Sequence, residues 1–411
     1  MAGRSRLHIP HPPARPGEKP DFSYVDISPP GAVGRPDTKT RVRDMESLAF
    51  SMVRVLGDDD TAVGPWDPHL HPHDLQIGLR HMLLTRVFDD RMLRVQRQGK
   101  ISFYMKSTGE EAVAVAQTMA LEPGDMLFPS YRVQGAHVTR GRSLVDLMCQ
   151  CLSNTRDMCK GRQMPIMYHW KEGRIFSISG NLATQLPHAV GWSMAAAMKG
   201  EDHLAATWTG EGATAEPDFH HALVFASVYQ APVLINVVNN QWAISTFQSF
   251  AGGERRPFAA RGLGYGIPGI RVDGNDFLAL YSVTRWAAER ARRGGGPTLI
   301  EPVTYRGAAH STSDDPSRYR PKEEAAFWPL GDPIDRLKRH LVALGEWSDD
   351  AHDGLLKELD AHVIDCWREA QTYGTMTEGP RLPSDAMFED LFKEMPQHLE
   401  RQRAALKSLG D

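Results

Sequence analysis

Cysteine is scarce: Cys149, Cys151, Cys159 and Cys366 are the only four in 411 residues, and no Cys-x-x-Cys pair occurs. That excludes a disulfide scaffold or a cysteine-rich zinc module and fits a reducing, intracellular setting. Long apolar runs are also missing. Stretches such as Val233 to Val238 end far short of the roughly 20 residues a membrane helix needs, so a soluble protein with no membrane span is expected. Neither charge dominates: 47 Lys and Arg against 51 Asp and Glu leave a net charge of −4, which argues against general nucleic-acid binding. Hydrophobic residues at 41% and charged residues at 24% describe a globular chain longer than one ordinary domain. What is plentiful is histidine, 17 residues, three of them alternating at His69, His71 and His73. Without Cys, Asp or Glu partners at mixed spacing, these three read as surface or interface residues rather than a zinc site.

Prolines crowd residues 1–45, from Pro10 to Pro36, and deny the backbone both helix and sheet ladders. This segment reads as an extended arm that packs on a partner subunit. Arg4, Arg6 and Arg15 suggest a transit peptide only weakly, because the prolines would break its helix. Residues 46–325 read as an α/β domain. A helix starting at the N-cap Asp74 runs to Gly99, and Gly109-Glu110-Glu111-Ala112 opens another. Strands are expected at Leu204–Thr209, Val233–Val238, Ile270–Asp273 and Thr298–Tyr305, with a helix at Phe219–Tyr229. Alternation of this kind implies a doubly wound parallel sheet flanked by helices, with sites at the carboxyl ends of its strands. Residues 326–411 read as a helical C-terminal region.

The first of these strands ends in Gly210-Glu211-Gly212-Ala213-Thr214-Ala215, a formal match to the dinucleotide-binding fingerprint. A Rossmann site also needs an acid about 20 residues on, at the next strand end. The chain has no acid between Asp218 and Glu254, which weakens a NAD-dependent reading. The next strand ends instead in Asn239-Asn240, with 26 residues between Gly212 and Asn239. An acid and an amide at neighbouring strand ends converge, so Glu211 and Asn240 can offer hard oxygen ligands to magnesium, leaving positions for phosphate oxygens. The glycines allow close backbone approach, and the following helix turns its N-terminus toward the anion.

This arrangement resembles the thiamine diphosphate signature, and His310-Ser311-Thr312-Ser313-Asp314-Asp315 is very similar to a loop of the α subunits of branched-chain 2-oxoacid dehydrogenase decarboxylase components. Further matches follow in order along the chain: Ser102-Phe103-Tyr104-Met105, Ser130-Tyr131-Arg132, Gly161-Arg162-Gln163-Met164-Pro165, Asn181-Leu182-Ala183-Thr184-Gln185 and Val272-Asp273-Gly274-Asn275-Asp276. The resemblance implies a thiamine diphosphate-binding fold, specifically its diphosphate-binding half. Glu211, Asn240 and the main-chain carbonyl of Trp242 would then hold magnesium, Tyr131 and Arg132 would contact phosphate, and Gly210, Gly212 and Ala213 would border the cofactor. Leu182 would sit under its bend. Val238 stands where some members carry a second phosphate-binding arginine, which leaves the clamp one cation short.

The same resemblance implies a potassium site at Ser179, Thr184 and Gln185, and a pocket for a branched aliphatic side chain at Phe103 and Tyr104. His310 would orient phosphate or move protons, and Ser311 occupies the position that a kinase modifies in some members. The implied reaction is decarboxylation of a branched 2-oxoacid, followed by reductive acylation of a lipoyl group on an acyltransferase partner. The carboxylate that activates the cofactor ring comes from a β subunit in this family, which implies an α₂β₂ assembly and an inactive isolated chain. A bacterial cytoplasmic location is expected, with the mitochondrial matrix as the alternative. Pyruvate- or acetoin-type α subunits are the nearest rivals. The pyruvate loop usually carries methionine and Asp-Pro where this chain has Thr312 and Asp314-Asp315, so Thr312 favours the branched-chain reading. A scaffold without catalysis is the remaining alternative.

Overall fold

The computed structural model describes residues 7–408. Its helices are α1 (Pro72–Arg97), α2 (Glu111–Met119), α3 (Gln134–Thr139), α4 (Leu144–Leu152), α5 (Gln185–Met198), α6 (Pro217–Tyr229), α7 (Phe277–Arg290), α8 (Pro333–Ala343), α9 (Asp349–Thr372) and α10 (Gln397–Ser408). The strands are β1 (Met52–Val53), β2 (Met126–Phe128), β3 (Ala205–Gly210), β4 (Val233–Val238), β5 (Trp242–Ala243), β6 (Thr246–Phe247), β7 (Gly269–Asp273) and β8 (Thr298–Val303). Six of them form one sheet in the order β1-β7-β8-β4-β3-β2, every pair parallel, while β5 and β6 make a small antiparallel hairpin.

The central strands are buried along their length and mostly apolar because both faces of the sheet are covered. Leu234, Ile270, Val272 and Ile300 pack in one core with residues of α1, α2, α7 and α8. Val233, Ile235, Val237 and Leu299 point the other way, into a core shared with α5 and α6. This alternation is the period of two that a strand imposes. Among the described residues no helix is long and apolar enough to cross a membrane.

One difference from the sequence reading has a local cause. The first long helix begins at Pro72, and its cap is His71, whose Nδ1 accepts from the His73 backbone N–H at 3.2 Å. Asp74 lies in the first turn instead, where its charge suits the positive helix end. The arm packs on its own chain: Phe22 meets Tyr305 and Trp328 edge-on, and Tyr24 meets Phe247. Its aromatic residues, rather than its prolines, decide its path. The C-terminal helices share the main core, with Ile334, Leu337 and Leu359 lying beneath the sheet. His69, His71 and His73 are all exposed, and among the described residues no group of three or more His, Cys, Asp or Glu could hold a metal ion.

Candidate active site

The segments that follow β2, β3, β4 and β8 meet at one cleft of about 550 Å³. Tyr131 and Arg132 follow β2, Gly210 to Ala213 follow β3, Asn240 and Trp242 follow β4, and His310 is carried by the loop after β8; all of them line the cleft. Leu182 joins them from the segment before α5. The parallel sheet therefore brings together residues spread over about 180 positions of sequence.

Glu211 is 2% exposed, and its Oε1 is buried without a hydrogen-bond partner. Burial pushes its carboxyl up to about 7, opposed by the nearby Arg306 and reinforced by Glu110. A buried carboxylate oxygen with nothing to bind is costly unless a cation or proton supplies the partner. Asn240 donates from Nδ2 to Glu110 Oε1 at 2.8 Å, and its Oδ1 accepts the Trp242 backbone N–H at 3.3 Å. The Trp242 carbonyl accepts from Arg306 Nη1 at 2.7 Å. Each of these two oxygens keeps a second lone pair, so the three residues together form a donor set that fits a hard divalent cation. Gly212 is required beside them: a Cβ there would lie 2.4 Å from that of Ala243.

Arg132 is 4% exposed and thoroughly anchored. Its Nη1 donates to the Lys106 carbonyl, its Nη2 to the His310 carbonyl at 3.0 Å, and its Nε lies 3.4 Å from Glu110 Oε1. The His310 ring stands edge-on to Tyr131, with Nδ1 3.4 Å from Arg132 Nη2. Since a guanidinium only donates, Nδ1 must carry the lone pair and Nε2 the proton. Burial, then Arg132 and Arg306, push this imidazole down to about 3, so it is neutral near pH 7.

Two functional side chains were missed in the sequence. Glu110 is buried, bridges Asn240 and Arg132, and is pushed up to about 7 by burial. Gly109 places it there with φ +95°, against the Tyr305 carbonyl where a Cβ would collide. Arg306 is fully buried and ties the hairpin to the loop after β8, donating to the Trp242 and Ile244 carbonyls and to the Tyr319 hydroxyl. An acid opening a helix and an arginine following a strand were the available signals.

Other expectations fare differently. Tyr104 does not face the cleft: it is fully buried in a satellite core, and its hydroxyl donates to Asp89 Oδ1 at 2.6 Å. Phe103 packs at the edge of that same core. The apolar wall comes instead from Met105, Met164, Met167 and Leu182. Ser179 and Gln185 also border the cleft, and the loop carries local hydrogen bonds. Ser179 Oγ accepts from the Asn181 N–H, Thr184 Oγ1 donates to the Asn181 carbonyl, and Gln185 Nε2 donates to the Trp208 carbonyl. Ser311 is 9% exposed, its Oγ accepting the Ser313 N–H.

The raised carboxyls set a pH dependence. A divalent cation held by Glu211 would displace that carboxyl's proton, so its affinity should fall about tenfold per unit below pH 7 and level off above it. Without the cation the sign for stability is opposite: between about pH 4.5 and 7 the folded state holds protons that the unfolded chain has lost, so stability declines as pH rises. Calorimetric titrations from pH 5.5 to 8.5 check the first effect, and melting curves over the same range check the second.

The sequence matches the family described as Dehydrogenase E1 component over residues 79–378, and the 2-oxoisovalerate dehydrogenase E1 alpha subunit N terminal over residues 4–42. It is 58% identical to the 2-oxoisovalerate dehydrogenase subunit alpha of Pseudomonas aeruginosa over 402 residues, 98% of each chain. Identity to the mitochondrial 2-oxoisovalerate dehydrogenase subunit alpha of Homo sapiens is 36%, covering 96% of this chain and 88% of the human one. For the mitochondrial subunit alpha 1 of Arabidopsis thaliana it is 37%, covering 95% and 81%.

Proposed function

Because the chain belongs to the dehydrogenase E1 component family, we propose that it is the α subunit of a branched-chain 2-oxoacid dehydrogenase. This oxidoreductase component decarboxylates 3-methyl-2-oxobutanoate and passes the acyl group to the lipoyl disulfide of an acyltransferase partner. Enzymes of this family depend on thiamine diphosphate. The observation that carries the reading is the unpartnered, buried carboxylate oxygen of Glu211 at a strand end, facing a cleft walled by arginine on one side and methionine on the other.

When bound, thiamine diphosphate supplies an electron sink for cleavage of the carbon–carbon bond. Glu211, Asn240 and the Trp242 carbonyl would hold magnesium, and through it the diphosphate. Arg132, fixed by the Lys106 and His310 carbonyls, presents an oriented cation to the phosphates rather than a mobile one. Arg306, fully buried behind the cleft, adds positive charge near Glu211 and His310. Neutral His310 offers its Nε2–H as a hydrogen-bond donor, able to orient a phosphate or acyl oxygen and to relay a proton. Met105, Met164, Met167 and Leu182 give a deformable apolar wall suited to a branched aliphatic side chain.

Ser179 Oγ, Thr184 Oγ1 and Gln185 Oε1 keep acceptor capacity that would suit a potassium ion. Modification of Ser311 would require its loop to open first. The β subunit supplies the remaining carboxylate in an α₂β₂ assembly. The location is the cytoplasm, with the mitochondrial matrix, where the human and Arabidopsis relatives are named, as the alternative. Turnover of 3-methyl-2-oxobutanoate and of pyruvate by the chain combined with its β subunit tests the assignment. The branched substrate should have the higher kcat/KM; preference for pyruvate would move the chain to the pyruvate type.

A further inference from the structure

A second cavity, of about 440 Å³, lies between the N-terminal arm and β7 and β8. It does not serve the chemistry described above. Its floor is unusual for a parallel sheet, because the β7–β8 register pairs Arg271 with Glu301 where apolar residues would be the default. Glu301 is already engaged, accepting from Asn239 Nδ2 and the Ala259 N–H, each at 2.9 Å. Arg271, 8% exposed, donates from Nη1 to the Asp26 carbonyl at 2.8 Å and has no carboxylate within 4 Å among the described residues. Its Nε is buried without a partner. So is the Oγ of Ser249, 6% exposed and lining the same cavity. Two orphaned donors, one charged, thus border one space.

We propose that this cavity binds a small organic carboxylate, the carboxylate held by Arg271 and Ser249 and the apolar part resting on Tyr24, Phe50 and Phe247. A planar guanidinium suits a carboxylate. The aromatic wall and the volume exceed what a bare inorganic ion would use. Glu301, buried at the neighbouring register position and interacting electrostatically with Arg271, opposes a dianion more than a monocarboxylate. Arg255 and Arg256, exposed at the rim, would draw an anion in.

Benzoate is the probe, titrated by ligand-observed NMR into the assembled α₂β₂ enzyme saturated with thiamine diphosphate and magnesium. Saturable binding is expected, weakened about tenfold or more in Arg271→Gln. Binding should persist in Glu211→Ala, which disables the cofactor cleft. Should Arg271→Gln fail to fold, Ser249→Ala decides, with a several-fold loss expected. Absence of saturable binding, affinity unchanged in the folded variants, or displacement of benzoate by inorganic phosphate at equal or lower concentration would each overturn the proposal.

Discussion

Glu211→Ala is expected to lower cofactor-dependent decarboxylation by more than about 100-fold while leaving the circular dichroism spectrum unchanged. Loss of residues that merely support a metal ligand already costs about 10–100-fold, and Glu211 is the only anionic member of its donor set. Its Oε1 makes no hydrogen bond, so removing it breaks none at that atom. The loss therefore falls on cation and cofactor binding. Glu211→Gln keeps the volume and should fail nearly as badly, because the charge is what a hard cation needs. Calorimetry with thiamine diphosphate and magnesium should show the binding heat gone in both variants. Activity retained within a few-fold of the unmodified enzyme would favour a scaffold role.

The second large effect is on stability, and it concerns Asp276. Its Oδ1 caps α7 by accepting the Ala279 N–H at 3.0 Å, while Oδ2 accepts the Val55 and Leu56 N–H groups at 2.8 and 2.7 Å. One carboxylate thereby starts a helix and fastens the segment after the edge strand β1. Asp276→Ala should cost on the order of 3 kcal/mol or more: about 1 for the cap, and about 1–3 for each buried N–H left unpaired. In a chain of this size a loss of about 3 kcal/mol lowers the thermal midpoint by roughly 3–4 °C. Differential scanning calorimetry checks it. A shift below about 2 °C would mean that water replaces the carboxylate at both backbone groups.

Asp276 also shows where motif reading and physics part company. The segment Val272-Asp273-Gly274-Asn275-Asp276 stands out in the sequence only as a family match, and its side chains build structure. Asp273 receives Arg336 and Arg54, and Asn275 receives the Trp328 indole N–H. By contrast β4 was legible to the residue, because five apolar residues around the single Asn236, buried on both faces, leave no other reading. The short edges β1 and β2 were not legible: two or three residues carry too little pattern, and only pairing with β7 and β3 defines them. At the site, Glu211, Asn240, Arg132 and His310 could be assembled from strand ends and motif order. Tyr104 could not be placed, since neighbouring residues of an extended segment point opposite ways, and here Met105 took the cleft side. Glu110 stayed hidden because it stands beside Glu111, which bonds Arg86 and the Gly109 N–H and does the structural work.

The central claim is that this chain holds one half of a catalytic site. Its most direct test is the decarboxylation rate of 3-methyl-2-oxobutanoate at saturating thiamine diphosphate and magnesium, measured while the β subunit is titrated into a fixed amount of the chain. The rate should be at background without the partner and should rise to a plateau at one β subunit per chain. Steady turnover by the chain alone would contradict the claim.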